Sequence, residues 1–237
     1  MERPMSSQLL AEVYGTFILT FIGTTAITMT SDPSVFPIGP SLGLGFIGLA
    51  FGIALVVGIA SVGSVSGAYF NPAITIAAFS LGKLPRHKLV GYIVAQLIGA
   101  TLAAGIEYGM VGSHAASLSD LGSSLPNMSL PSPLFSAVLA EILGTLFLTF
   151  TVLGSTDEGS SGNSWGTLGI GLSLAASIWA LGAVSGASLN PARSFGPALV
   201  SLLFSTTPLS YYWLYLLGPI LGALLAAALY KTIYKRV

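Results

Sequence analysis

Two segments of this chain carry the same pattern: Ser66-Gly67-Ala68-Tyr69-Phe70-Asn71-Pro72-Ala73 and Ser185-Gly186-Ala187-Ser188-Leu189-Asn190-Pro191-Ala192. Each follows a long apolar stretch, and each opens an apolar stretch too short to cross a bilayer. Proline suits the first position of a helix, where no backbone N–H is needed, and asparagine before it is a good N-cap. The pattern therefore predicts two half-helices, starting at Asn71 and Asn190. Proline also disfavours helical geometry just upstream. The carbonyls of Gly67, Ala68, Tyr69 and Phe70, and of Gly186, Ala187, Ser188 and Leu189, are then expected to be free. Membrane depth tolerates free backbone groups only where they line a wet cavity, so each run is expected to form a ladder of acceptors. Paired, interrupted apolar segments in corresponding halves of a chain point to a transmembrane pathway at the interface between repeats.

Composition places these motifs in a membrane. The chain is 53% hydrophobic and 7% charged, against roughly 25% charged for a soluble domain, and cannot present an ordinary aqueous surface. Six apolar stretches, at about 9–29, 42–64, 89–108, 134–154, 166–184 and 209–230, approach the ~20 residues that a spanning helix needs. All are expected to be helical, because lipid offers no partner to a free backbone group. The N-terminus, with Arg3, Pro4 and Glu12 and no evident cleavage site, reads as a retained first span and not as a signal peptide. The expected fold is an all-α membrane protein of six transmembrane helices and two re-entrant half-helices.

The halves repeat in three blocks taken in the same order. Ala11-Glu12, Gly15-Thr16 and Thr20-Phe21 match Ala140-Glu141, Gly144-Thr145 and Thr149-Phe150. The Asn-Pro-Ala segments come next. Tyr92, Gly99-Ala100 and Leu102-Ala103-Ala104 then match Tyr215, Gly222-Ala223 and Leu225-Ala226-Ala227. An odd number of spans per half inverts the second half relative to the first. The result is an inverted 3+3 repeat in one domain over 1–237, with repeat 1 at about 8–110 and repeat 2 at about 133–234. The two half-helices then enter from opposite faces and meet N-terminus to N-terminus. Gly15, Gly23, Gly91, Gly99, Gly144, Gly218 and Gly222 are where helices are expected to approach closely. The Ser-, Gly- and Pro-rich segment 109–133 is expected to be an outer loop joining the halves.

Lysine and arginine set the orientation. Arg3, Lys83, Arg86, Lys88, Lys231, Lys235 and Arg236, seven of the eight basic residues, fall on one side, which the positive-inside rule makes cytoplasmic. Both termini are thus expected in the cytoplasm of a multi-pass protein of the cell membrane. Asp157 and Glu158 in the loop 155–164 do not oppose this, since acids contribute little. Arg193 is the exception, beside the second Asn-Pro-Ala on the outer side. Zero net charge argues against a nucleic-acid partner, and the absence of cysteine excludes disulfides and thiol ligands. No Ser/His/Asp set, metal cluster or phosphate loop is evident, so neither enzyme chemistry nor a cofactor is expected.

The candidate functional residues follow from these placements. A half-helix N-terminus carries about half a positive charge; two aimed at one point disfavour a cation there, while Asn71 and Asn190 can each donate to a passing oxygen. Arg193, a charge inside a membrane segment, marks a cavity or pathway. Glu12 and Glu141, equivalent in the two repeats, are expected to accept hydrogen bonds from the N–H groups of the non-helical loops. Glu107 is expected at a solvated helix end, and His87 and His114 in solvated loops.

The doubled Ser-Gly-Ala-x-x-Asn-Pro-Ala, in register with the repeat, resembles the signature of the aquaporin (major intrinsic protein) family over nearly the whole chain. The resemblance implies a passive channel in which Asn71, Pro72, Ala73 and Asn190, Pro191, Ala192 face the pore. It places the family's four-residue constriction at Phe51, Ile178, Ala187 and Arg193, and it supports the structural reading of Glu12 and Glu141. It further implies a homotetramer in membrane lipid with one pore per subunit. Family members usually carry histidine where Tyr69 stands. Water-specific members carry histidine where Ile178 stands and glycerol facilitators glycine, so this filter is similar to that of the archaeal branch, which has isoleucine there. Ser194 and Ala198 are water-channel-like, whereas Tyr215-Leu216 is mixed. The resemblance thus implies water as main solute, slow passage of glycerol and other small neutral solutes, and exclusion of protons and ions. The alternatives are a facilitator of glycerol or gas, a secondary transporter and a structural membrane protein.

Overall fold

The computed structural model describes residues 3–33, 36, 39–157 and 165–234; Glu158, Lys235 and Arg236 lie outside the described residues. The described chain is almost entirely helical. In order come α1 (Met5–Ser31), α2 (Pro40–Ser66), the short α3 (Pro72–Ser80), α4 (Arg86–Leu118), α5 (Pro133–Ser155), α6 (Gly166–Ser185), the short α7 (Pro191–Val200), a single turn α8 (Thr207–Ser210) and α9 (Tyr212–Ile233). Six of these, α1, α2, α4, α5, α6 and α9, are long and apolar enough to cross a membrane, and they fall on the six predicted stretches. α3 and α7 are the two half-helices, each with Pro at its first position and Asn as its cap.

The repeat is visible in the packing. α1 packs on α2 and α4 as α5 packs on α6 and α9, and α2 against α6 joins the halves. The two halves approach at their small residues. A Cβ on Gly52 would lie 2.6 Å from the Gly171 carbonyl oxygen, and a Cβ on Gly171 would lie 2.5 Å from that of Gly52. The α2–α6 crossing is therefore backbone on backbone, with reciprocal contacts at repeat-equivalent residues. Within each half the same device recurs: Gly99 packs its α-carbon on the Val13 carbonyl and Gly222 on that of Ile142. In lipid, where no hydrophobic force pulls helices together, such close approach supplies the van der Waals contact that holds them.

Three expectations change. The segment 109–133 is not all loop: α4 continues through Val111, breaks at Gly112 (φ 77°, ψ 169°) and resumes to Leu118, followed by a tight turn over Asp120–Gly122. The rest of the linker is tied down at Asn127, whose side chain donates to Ala183 O (2.9 Å) and whose backbone N–H donates to Val184 O (3.0 Å). His87 and His114 stand in α4 and not in loops, although both are exposed as expected. Glu107 is not at a solvated helix end. It is fully buried within α4, because hydroxyls on α1 supply the partners that water was expected to give.

Candidate functional site

Two loops with one design lead to the short helices. α2 ends at Gly67 and α6 at Gly186, both left-handed (φ 93° and 78°), each donating its N–H back into the last turn. The left-handed conformation continues where side chains rarely allow it, at Ala68 and Phe70 in the first loop and at Ala187 and Leu189 in the second. Each such residue costs about 1–3 kcal/mol and persists only where its surroundings over-determine it. Two buried carboxylates supply that constraint. Glu12 accepts from Ser66 Oγ (2.6 Å), Tyr69 N (3.1 Å) and Phe70 N (2.8 Å). Glu141 accepts from Ser185 Oγ (2.8 Å), Ser188 N (2.9 Å) and Leu189 N (2.7 Å). The predicted contacts of both acids are present. Tyr92 and Tyr215 add a brace each, their hydroxyls reaching the carbonyls of Ser66 (3.0 Å) and Ser185 (2.7 Å).

The asparagines cap and also cross. Asn71 Oδ1 accepts from Ala73 N (2.9 Å), and Asn190 Oδ1 accepts from Ala192 N (3.0 Å) and Arg193 N (3.2 Å). Each amide nitrogen then donates to the other loop: Asn71 Nδ2 to Leu189 O at 2.7 Å and Asn190 Nδ2 to Phe70 O at 2.8 Å. The N-termini of the half-helices are thereby pinned together. Phe70 and Leu189 each give one lone pair to the opposite asparagine, and a carbonyl oxygen has a second. An amide nitrogen carries two hydrogens, so these crossed bonds use one N–H of each asparagine.

Both asparagines border a narrow cavity of about 20 Å³, lined also by Leu19, Leu55, Leu148, Leu174 and Arg193. That is room for about one water. Leu19 is the repeat equivalent of Leu148, and Leu55 of Leu174, so the apolar wall is built by the duplication just as the asparagines are. Tyr69 lines both this cavity and a wider one, which Lys83 and Thr156 also line.

Of the four constriction candidates, Phe51, Ile178 and Ala187 belong to one buried apolar cluster. The guanidinium of Arg193 lies over the Phe51 ring, 4.9 Å from its centroid. Only Phe51 and Arg193 of the four line the narrow cavity. Arg193 is 2% exposed; its Nη2 donates to Gly122 O at 2.9 Å, and its Nη1 has no partner among the described residues. A buried guanidinium nitrogen without a partner is costly unless something on the cavity side accepts from it. Ser188 and Ser194 pair through their hydroxyls, and Ser188 Oγ donates to Asn190 O (2.9 Å).

Sequence reasoning missed the part played by Gly122, Ser66, Ser185 and Gln96. The serines were legible, since both stand first in the doubled motif. Gln96 was less so: it donates to Glu12 (2.7 Å) and to Thr75 (2.9 Å), and the matching position in the second repeat is Pro219.

Residues 2–230 match the family described as Major intrinsic protein. An aquaporin, AqpM, from Methanothermobacter marburgensis is 40% identical over 240 residues, covering 96% of this chain and 97% of the relative. A probable aquaporin, AqpM, from Archaeoglobus fulgidus is 38% identical, covering 99% and 100%. Among solved structures, the aquaglyceroporin from Plasmodium falciparum superposes with a TM-score of 0.81 over 98% of each chain at 24% identity, which speaks for the fold.

Proposed function

The chain belongs to the major intrinsic protein family, and from that premise we propose that it is a passive channel for water that admits glycerol and other small neutral solutes slowly and excludes protons and ions. The observation that carries the reading is the junction of the half-helices. Two positive helix ends meet there, and each asparagine has one amide hydrogen on the opposite loop and one to spare. A water at that point accepts from the asparagines and must donate outward, which interrupts proton hopping, while the helix ends raise the energy of a cation. Leucines on the facing wall offer the water no third partner. We assign Asn71 and Asn190 this orienting role, and Phe51, Ile178, Ala187 and Arg193 the constriction. Arg193 Nη1 is then the donor that meets the solute, and the carbonyls from Gly67 to Phe70 and from Gly186 to Leu189 are the acceptors that replace lost hydration. No chemistry is catalysed and no cofactor is needed.

Arg3, Lys83, Arg86, Lys88 and Lys231 favour cytoplasmic termini in a cell membrane. Large exposed apolar side chains such as Leu10, Val90, Phe135 and Phe147 suit lipid or a neighbouring subunit, in keeping with a homotetramer of independent pores.

Stopped-flow light scattering on proteoliposomes, with a pH-sensitive dye inside, tests the proposal. Water flux well above that of empty liposomes is expected, linear in the gradient, with slow glycerol entry and no added proton entry. Proton entry rising in step with water flux would sink it. A second reading, in which glycerol or another small solute is the main cargo, is favoured by the aliphatic Ile178 and the small Ala187. Glycerol entry keeping pace with water would select it.

A further inference from the structure

Arg193 is held by a turn that the chain builds against its own backbone preferences. Asp120, Leu121 and Gly122 are left-handed in succession (φ 46°, 54° and 65°), and the first two carry side chains that rarely allow it. Such a run persists only where its surroundings over-determine it. It presents the Gly122 carbonyl, which accepts from Arg193 Nη2 at 2.9 Å. The other guanidinium terminus, Nη1, has no partner among the described residues, and the group lies over the Phe51 ring. Where the guanidinium sits therefore depends on what fixes the turn.

Three supports meet there. Leu121 is fully buried in an apolar cluster with Ala104 and Ala116 of α4. The Asp120 carbonyl accepts from Ser201 Oγ (3.2 Å), just beyond α7. The third support is α1. Gly122 is seated on Thr24 so closely that a Cβ would lie 2.8 Å from the Thr24 α-carbon. Ser119 Oγ, where the turn begins, lies 2.9 Å from Thr28 Oγ1. One carboxyl group grips both threonines: Thr28 donates to Glu107 Oε1 at 2.7 Å, and Thr24 to Glu107 Oε2. Glu107 stands on α4, is fully buried and takes no part in holding either re-entrant loop. An acid inside a membrane segment is expensive and marks a function. This one ties α4 to the two residues of α1 on which the turn stands.

The repeat supplies the control. The equivalents of Thr24, Thr28 and Glu107 are Leu153, Asp157 and Tyr230, and Tyr230 donates to Asp157 at the other end of the bundle. The half-helix on which α9 packs is α3, and it has Ile74 where α7 has Arg193. The grip on two threonines is present in the half of the bundle that has an arginine to place.

We infer that Glu107 is a positioning residue for the constriction: through Thr24 and Thr28 it fixes the turn at Asp120–Gly122, and the turn keeps the Arg193 guanidinium on Phe51 and out of the passage. The inference rests on the assignment of Arg193 to the constriction. The grip does not require charge. A threonine hydroxyl both donates and accepts, so a glutamine amide of the same reach keeps both contacts. Without the grip the turn relaxes and Nη2 loses its acceptor. A buried guanidinium without acceptors is costly. The acceptors then left to it are the second-loop carbonyls assigned to the passage, and turning toward them narrows it.

The test reads water flux per inserted channel in proteoliposomes for the parent, Glu107→Ala, Glu107→Gln and Gly122→Ala, each with and without Arg193→Val. Glu107→Ala is expected to slow water severalfold. Gly122→Ala, which forces a methyl onto Thr24 from the other side, should do the same, and it carries the comparison where Glu107→Ala does not assemble. Both losses are expected to vanish in the Arg193→Val background, where no guanidinium is left to stray, whereas a merely structural loss would persist there. Glu107→Gln is expected to run like the parent. Equal slowing with and without Arg193, no slowing at all, or a Glu107→Gln channel as slow as Glu107→Ala overturns the inference and leaves the constriction standing. If Arg193→Val changes neither glycerol nor potassium entry, the constriction reading fails and takes the inference with it.

Discussion

In the first half Glu12 takes a serine hydroxyl and two loop amides, and in the second half Glu141 takes the same three groups from Ser185, Ser188 and Leu189. Around this common frame the halves diverge. Ile74 in one is Arg193 in the other, Tyr69 is Ser188, Gln96 is Pro219, and Glu107 stands where Tyr230 does. The frame is what duplication kept, and two of these differences, Ile74 against Arg193 and Tyr69 against Ser188, lie in the lining of the narrow cavity. On the proposed function, the repeat makes the passage, and selectivity is expected to come from the few places where the repeat is broken.

The largest effect is expected where the frame is attacked. Glu12→Ala and Glu141→Ala each strand a hydroxyl and two buried amides, and should cost about 3 kcal/mol or more at 1–3 kcal/mol per buried group left unpaired. Glu12→Ala should cost the more, because Gln96 loses an acceptor too. Unfolding midpoints in detergent measure both; a variant of either that unfolds like the parent breaks the equivalence of the halves.

The close contacts come next. Gly99→Ala and Gly222→Ala would put a methyl 2.4 Å from Val13 O and 2.2 Å from Ile142 O, an overpacking that costs about 1–3 kcal/mol. Similar losses in midpoint sharpen the comparison. A loss at only one position would show that the halves are alike in sequence but not in tightness.

Smaller effects, read in flux and not in stability, come from the broken positions. Tyr69→Ser makes the first loop like the second and should speed glycerol severalfold, since the ring lines both the narrow cavity and the wider one beyond it. Unchanged glycerol entry would move the limiting constriction wholly to the Arg193 end. Ile178→His should slow glycerol more than water, by adding a ring and polar nitrogens to the apolar side of the constriction. Equal slowing of both solutes would mean that Ile178 sets width alone.

The spans, the half-helices and the two loop-holding acids were legible because each signal is local or doubled. A run of apolar residues, a proline after a capping asparagine, and a glutamate at matching places in two repeats need no knowledge of what lies across the bundle. Glu107 was misread because its partners are on another helix and its own position has no matching acid. Thr24 and Thr28, one turn apart on α1, were the trace of it, but threonine pairs on apolar helices are common. The crossing of the asparagines was hidden for a similar reason: capping accounts for each side-chain oxygen, and nothing local says where the nitrogen goes. The left-handed Ala68, Phe70, Ala187 and Leu189 run against their residue types and become intelligible only beside the carboxylates that hold them.

The crossed amide bonds, Asn71 to Leu189 and Asn190 to Phe70, also bear on how such a protein comes to exist. Residue i of one half touches residue j of the other and the reverse, which is the contact pattern of a two-fold dimer. A chain of half this length, inserted in both orientations, could close the same pair of bonds between two copies. Joining the copies leaves the bonds unchanged but orders them in time. Until the second half has been made, Asn71 and the Phe70 carbonyl lack these partners, and an unsatisfied group exposed to lipid would cost several kcal/mol. The first re-entrant loop is therefore a structure that the ribosome makes early and the membrane can accept only late, once the second loop has arrived to meet it.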